Sequence, residues 1–214
     1  MPQTLPDHLR DLARRVAQHE MGHYVVARLM GFRTGDVSIE LTGLMGGHQG
    51  RAALELPTAT GSLDQVADYL RRRVIVLYAG GIAEALPAYG SPSKSVDVDK
   101  AIEIIRNPIH GAEQDHAKAT ELIHVLRNIA KHDTDAVDGR TVQAELDELD
   151  GQLFSRAVQL VEEHADAVLG LAGNLAARVT AIKSPAIITA TELKRLPTMD
   201  RIIPMESLRI GDES

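Results

Sequence analysis

The feature that most constrains the fold of this chain is a pair of histidines four positions apart. They lie in a segment whose apolar residues recur at regular spacing. Residues 16–32, VAQHEMGHYVVARLMGF, contain them as His19 and His23, with Glu20 directly after the first. Apolar residues recur there at helical spacing, which predicts a helix from Asp7, placed as its cap, to about residue 30. Because each helical residue turns the chain by about 100°, positions i and i+4 share one face. The two imidazoles are therefore expected to point the same way.

The pattern H-E-x-x-H on a helix is typical of zinc-dependent hydrolysis. His19 and His23 can bind one zinc ion, and Glu20 lies about 100° around the helix, where it can act as general base toward a water that zinc activates. The alternative is a surface helix with unrelated polar residues. A catalytic zinc needs a third protein ligand and one open position. Leu29 stands where a third histidine of H-E-x-x-H-x-x-G-x-x-H would be, so the third ligand must come from elsewhere.

Composition narrows the choice of ligands and partners. The chain has no cysteine, so a metal must be held by histidine and carboxylate side chains. A net charge of -7 gives no electrostatic reason to expect a nucleic acid or an anionic membrane as partner. The longest apolar run, from Val74, is too short to cross a bilayer, and the N-terminus lacks the apolar segment of a signal peptide. These features predict a cytoplasmic protein with no membrane partner.

The remaining pattern predicts a mainly helical α+β fold with a small sheet. We expect one domain over 1–214, with the H-E-x-x-H helix, the sheet and the following helix in 1–95, a helical part in 96–214, and a flexible tail from about residue 199. The stretches DVSIEL and RAALEL alternate enough to predict a hairpin or two strands of a small sheet. Further helices are predicted over 62–86 with an interruption at Gly80-Gly81, over 98–106, over 112–131, over 140–182 with a split near Gly170, and at TATELKRL.

Three further observations concern family resemblance. The stretch GAEQDHAKAT matches the pattern G-A-x-x-D-x-x-x-A-T, LYAGGIAEAL matches A-G-x-x-A-E-E, and VAQHEMGHYVVARLM matches an H-E-x-G-H helix. Together they resemble the peptidase domain of the FtsH family of ATP-dependent zinc metalloproteases, and the C-terminal helical part resembles the family's closing helices. The resemblance covers nearly the whole chain. It implies a zincin-like fold with one Zn2+ held by His19, His23 and Asp115, and Glu20 as the catalytic base.

The chain also departs from that family. It has no G-x-x-x-x-G-K-S/T loop, so the ATPase module is absent, as are the membrane segments, and Ala85 replaces the second glutamate of A-G-x-x-A-E-E. A segment around 95–110 is inserted before the aspartate motif, which leaves other carboxylates open as third ligand. Glu84 is either a hydrogen-bonding partner of a metal-bound histidine or a helix-packing residue. The competitors of Asp115 are Asp97, Asp99, Glu84 and Glu113.

The resemblance implies a zinc metalloendopeptidase that hydrolyses peptides or unfolded polypeptides, and the missing nucleotide-binding loop predicts that it does so without ATP. A second copy of the chain, in a homo-oligomer, or a separate unfoldase is the partner expected beside the substrate. The strand with Val37, Ser38 and Ile39 is expected to offer an edge to which an extended substrate adds. His48, in the glycine-rich TGLMGGHQG, either approaches a substrate or is a solvated loop residue. The alternative function is a non-catalytic, metal-containing module that acts with a protein partner.

Overall fold

Seven helices and three strands make up the part of the chain that the computed structural model describes, residues 5–43, 47–55, 60–88, 90–107, 112–131 and 138–204. The architecture is mainly helical with a small antiparallel sheet, as predicted. None of the described helices is long and apolar enough to cross a membrane. The elements are α1 (Asp7–Leu29), β1 (Arg33–Leu41), β2 (His48–Glu55), α2 (Leu63–Glu84), α3 (Val98–Arg106), α4 (Glu113–Ala130), α5 (Gly139–Glu163), α6 (Ala165–Ala176), β3 (Ala186–Ile188) and α7 (Ala190–Lys194), followed by a 3-10 turn at Pro197–Arg201.

Helices α1 and α2 form the centre of the core and approach each other closely. A Cβ added at Gly22 of α1 would lie 2.4 Å from the Ala79 carbonyl oxygen and 2.5 Å from the Ala83 Cβ of α2, so only glycine allows this contact. Near the end of α2, Gln18 Nε2 donates to the Ala83 carbonyl oxygen at 3.3 Å, and the Gln18 side chain is buried. The two helices are therefore held at a fixed separation around the H-E-x-x-H turn.

The sheet has the strand order β2-β1-β3, with both pairs antiparallel. Val37, Ile39 and Leu41 alternate along β1 and are buried, so one face of the sheet covers the core. Val37, Ser38 and Ile39 pair with β2 on one side and with β3 on the other. The prediction that these three residues offer an edge to a substrate is wrong, because both sides of a central strand already carry ladder hydrogen bonds.

Helix α4 is held against the core by its apolar face and by one ion pair. Ala119 and Ile123 are buried, and α4 packs against α2. One turn beyond Ile123, Arg127 Nε donates to Glu145 Oε2 of α5 at 2.9 Å, and Arg127 is buried. This packing brings the first turn of α4, which contains Asp115, to the α1–α2 pair.

Helices α1, α2 and α5 each differ from the predictions in one feature. Asp7 is not the cap of α1; it lies in the first turn, and no side chain caps that helix. Helix α2 continues without a break through Gly80 and Gly81. The long C-terminal helical stretch is divided at His164, where φ is −114° and ψ is 19°, rather than near Gly170. Helix α3 begins and ends where predicted, at Val98–Arg106.

The C-terminal part contains one strand that the sequence pattern does not predict. β3 is only three residues long, too short to show a period of two. The capped turn predicted at TATELKRL is α7, where Thr189 and Glu192 form a capping box. Of the tail predicted to be flexible from about residue 199, the beginning lies in the 3-10 turn, and residues 205–214 lie outside the described part of the chain.

Candidate metal centre

Three side chains from α1 and α4 bring their donor atoms together. His23 Nε2 lies 3.1 Å from His19 Nε2 and 3.0 Å from Asp115 Oδ2, and His19 Nε2 lies 3.5 Å from the same oxygen. A tetrahedral ion with bonds of about 2.0–2.1 Å separates its donor atoms by about 3.3 Å. The three donors thus have the spacing of ligands around one tetrahedral ion. Among the described residues, this is the group that could hold a metal ion.

The sequence leaves several carboxylates open as the third ligand. Of these, Asp115 is the one whose Oδ2 lies beside the Nε2 atoms of both histidines. Asp97 instead caps α3, where its Oδ1 accepts from the Lys100 backbone N–H at 3.1 Å. Asp99 and Glu113 are exposed. The segment before α4 therefore forms helix α3, and Asp115 is the carboxylate that lies beside both histidine Nε2 atoms.

Both histidine rings have an acceptor at their outer nitrogen. His23 Nδ1 donates to the Val76 carbonyl oxygen of α2 at 2.7 Å, since a carbonyl can only accept. Glu84 Oε2 lies 3.6 Å from His19 Nδ1, and the Arg15 guanidinium lies 3.3 Å from the other Glu84 oxygen. A proton on Nδ1 leaves the Nε2 lone pair for a metal, which is the form that ligates. This geometry supports the interpretation of Glu84 as a partner of a metal-binding histidine.

The charges of the site are strongly coupled. Burial by itself lowers the pKa of His19, but its interactions with Asp115 and Glu84, and the nearby charge of Glu20, outweigh burial and raise the pKa to about 10. Burial by itself raises the pKa of Asp115, but hydrogen bonds with His19 and His23 outweigh it and hold that pKa far below its usual range. A cation held by the same three groups would compete with protons for them, so its affinity would depend on pH.

Gly80 and Gly50 have no Cβ, and this leaves room for the side chains of the site. A Cβ added at Gly80 of α2 would lie 2.5 Å from His23 Nε2 and 2.7 Å from His19 Nε2. A Cβ added at Gly50 of β2 would lie 2.1 Å from Glu20 Oε1. The sequence pattern predicted an interruption at Gly80, and the match to A-G-x-x-A-E-E gave this glycine no role. A glycine inside an apolar helix is also a signal of close packing, and that signal could have found it.

Glu20 is buried on α1, beside the donor group but outside it. Its side chain is 8% exposed and its carboxylate faces the backbone of Gly50, whereas the candidate ligands are His19, His23 and Asp115. This arrangement leaves the Glu20 carboxylate available as a proton acceptor next to the metal position.

His48 does not lie in a solvated loop. It is the first residue of β2, pairs with Leu41 of β1, and is half-buried. The strand begins earlier than RAALEL suggests, because the pairing with β1 extends into the glycine-rich segment. His48 and Gly50 therefore belong to the outer strand of the sheet, beside α1.

Comparisons with known proteins assign no family: no protein-family model matches this chain, and no curated protein is found to be related to it. The function is therefore inferred from the residues of the site and their geometry. The likeness to FtsH peptidases remains an expectation from sequence motifs.

Proposed function

We propose that this chain is a zincin-like zinc metalloendopeptidase that hydrolyses peptide bonds in peptides or unfolded polypeptides without ATP. One observation carries the proposal: three donor atoms with tetrahedral spacing lie beside a buried glutamate that is not one of them. Two imidazole nitrogens and one carboxylate oxygen are a donor set of catalytic zinc sites, in which three protein ligands leave one position open.

The residues of the site would have separate roles in hydrolysis. Zinc held by His19, His23 and Asp115 would supply Lewis acidity and lower the pKa of water. Glu20 accepts the proton of the attacking water and returns it to the leaving amine. The Val76 carbonyl and the Glu84 carboxylate orient the two imidazole rings, so that each Nε2 points inward.

The substrate is expected to lie along β2 rather than β1. β2 is an outer strand of the sheet, and its Gly50 backbone borders the Glu20 carboxylate. An extended peptide can add to such an edge through main-chain hydrogen bonds. The other outer strand, β3, has three residues, and the Arg178 guanidinium already donates to the Ile187 carbonyl oxygen at 2.6 Å. β2 therefore offers the longer edge, and it offers that edge beside the candidate base.

Metal content and peptide hydrolysis, measured together, test the proposal. We expect one zinc per chain, hydrolysis that a chelator abolishes and zinc restores, and a Glu20→Gln variant that keeps zinc but turns over about 10²–10⁴-fold more slowly. Asp115→Ala should purify without metal, and Asp97→Ala, whose carboxylate only caps α3, should keep it. A zinc-loaded parent that cleaves nothing would point to a non-catalytic module acting with a protein partner.

The proposal also says that the substrates are unfolded and that ATP is not needed. Comparing cleavage of folded and unfolded substrates tests this part. A peptide must be extended to pair with β2, and a folded protein exposes such a segment only by opening against a stability of about 5–15 kcal/mol. We expect cleavage of a destabilised, unfolded variant of a test protein but not of its stable parent, with no effect of ATP. Equal cleavage of both substrates, or stimulation by ATP, would contradict the proposal. A separate unfoldase would add cleavage of the folded substrate.

A further inference from the structure

One face of β2 meets α1, and every second residue of the strand projects to it. His48, Gly50 and Ala52 alternate along the strand, and residues directly opposite each other in an antiparallel pair project to the same face. Gly50 lies against Glu20 on that face. Their partners on β1 are buried: Leu41, Ile39 and Val37.

His48 is the one member of this set with a polar side chain. It is half-buried, whereas Gln49 and Arg51, which alternate with it, are exposed on the other face. His48 lies two residues from Gly50, about 7 Å along the strand. The face beside Glu20 thus presents an imidazole, then no side chain, then a methyl group.

A peptide paired with the outer edge of β2 would continue this pattern. The substrate residue opposite Gly50 would lie beside Glu20, and the residue opposite His48 would lie two positions away along the substrate. Directly opposed residues have Cβ atoms about 4.5–5.5 Å apart and project to the same face, so their side chains touch. Gly50 and Ala52 offer a substrate side chain little to contact. Of the residues of this face on either side of Gly50, His48 therefore offers the polar contact that can select a substrate side chain.

We propose that His48 is a specificity-determining residue that selects a carboxylate side chain on the substrate, two positions from the residue opposite Gly50. This inference depends on the proposed peptidase function. An imidazole offers an N–H donor in both of its protonation forms, and a carboxylate accepts through two oxygens. A lysine ammonium only donates and carries the charge that a protonated imidazole repels.

A peptide series tests the inference. The peptides differ only in one Glu, Gln or Lys that is moved through each position on both sides of the cleaved bond, and kcat/KM is measured for each. At one position we expect the parent to prefer Glu over Lys by about two- to fivefold, the size of a cross-strand pair contribution. His48→Ala should abolish that preference, and His48→Glu should invert it toward Lys.

Gln49→Glu is the matched control, because it adds the same charge to the neighbouring residue on the opposite face. It should leave the preference as in the parent. If His48→Glu does not fold, His48→Gln serves instead: it keeps N–H donors and should keep the preference that His48→Ala loses. Zinc content and thermal unfolding of each variant show whether the site is intact.

The outcomes separate this inference from the proposed function. An active parent whose Glu-to-Lys ratio is unchanged by both His48→Ala and His48→Glu would overturn the role of His48 and leave the peptidase standing. An equal change in Gln49→Glu would also overturn it, since the effect would then be general electrostatics. A zinc-loaded parent that cleaves none of the peptides would overturn the proposed function, and the role of His48 with it.

Discussion

Glycines in two regions of this molecule have opposite surroundings. A Cβ added at Gly22, Gly50 or Gly80, around the metal centre, would lie between 2.1 and 2.5 Å from another atom. At Gly151 and Gly170, in α5 and α6, nothing lies within 4 Å. The site glycines let backbones approach the functional side chains, whereas the open helical glycines contribute only their entropic cost. The same residue type is thus required in one region and dispensable in the other.

The polar contacts of the two regions differ in the same way. In the metal centre, Asp115 meets His23 across 92 positions of sequence, and Glu84 meets Arg15 across 69. On the exposed face of α5 the contacts are local, such as Gln143 Nε2 donating to Asp147 Oδ1 and Gln159 Nε2 donating to Glu163 Oε1, each four positions away. Local contacts follow from helix geometry alone, but the site depends on how the helices pack.

The largest effect is expected for Gly80→Ala. The added methyl group occupies the space beside the Nε2 atoms of His19 and His23, so the two nitrogens cannot reach the same ion. We expect zinc affinity to fall by about 100-fold, at the upper end of the effects seen when groups around a metal ligand are changed. Titration against a competing chelator measures it, with Gly151→Ala as control. Parent-like affinity in Gly80→Ala would show that the rings do not depend on this space.

Gly22→Ala should act on stability rather than on zinc affinity directly. Its methyl group meets the Ala79 carbonyl oxygen and the Ala83 Cβ, both of which are part of helix α2 and cannot move aside alone. Overpacking of this kind costs about 2 kcal/mol in free energy of unfolding. Urea denaturation of the variant and the parent gives the difference. Equal midpoints would mean that α1 and α2 adjust their separation freely.

Gly151→Ala should have a smaller effect of the opposite sign. The residue is exposed in the interior of α5 and its Cβ would meet nothing. Replacing such a glycine by alanine gains about 0.5–1 kcal/mol, because the unfolded chain loses backbone freedom. Thermal unfolding should shift upward while zinc content and peptide hydrolysis stay at parent values. A destabilised variant would show that the open space around this position is used.

The smallest effect concerns Glu192, in the capping box of α7. The Thr189 backbone N–H, the Thr189 hydroxyl and Arg178 lower the pKa of Glu192 below its ordinary value of 4.5. Because the folded-state pKa is the lower one, the carboxylate stabilises the fold above that ordinary pKa and loses this contribution as pH falls. Glu192→Gln keeps the acceptor but does not titrate. We expect the stability difference between parent and variant to narrow from about pH 6 to about pH 3. A stability difference that stays constant over this pH range would contradict the prediction.

Much of the secondary structure could be predicted because it depends on local patterns. α1, α3, α4 and the β1–β2 hairpin follow from periodicity, prolines and glycines within each segment. The sequence pattern gave wrong predictions where tertiary packing determines the secondary structure. β1 is a central strand because β3, a strand of three residues that lies about 150 positions later in the sequence, pairs with it. Helix α2 continues through Gly80 because its packing against the site offsets the low helix propensity of glycine.

The positions of His19, Glu20 and His23 relative to one another were determined by sequence alone, since a helix of 3.6 residues per turn places i and i+4 on one face. The resemblance of residues 111–120 to G-A-x-x-D-x-x-x-A-T added Asp115 as an expectation. Whether that carboxylate, rather than Asp97, reaches the two imidazoles was decided only by tertiary structure. α4 carries it there because Ala119 and Ile123 are buried against the core, whereas Asp97 remains exposed at the start of α3. Donor atoms about 3 Å apart can be set only by the packing of whole helices, because no local pattern relates residues 92 positions apart.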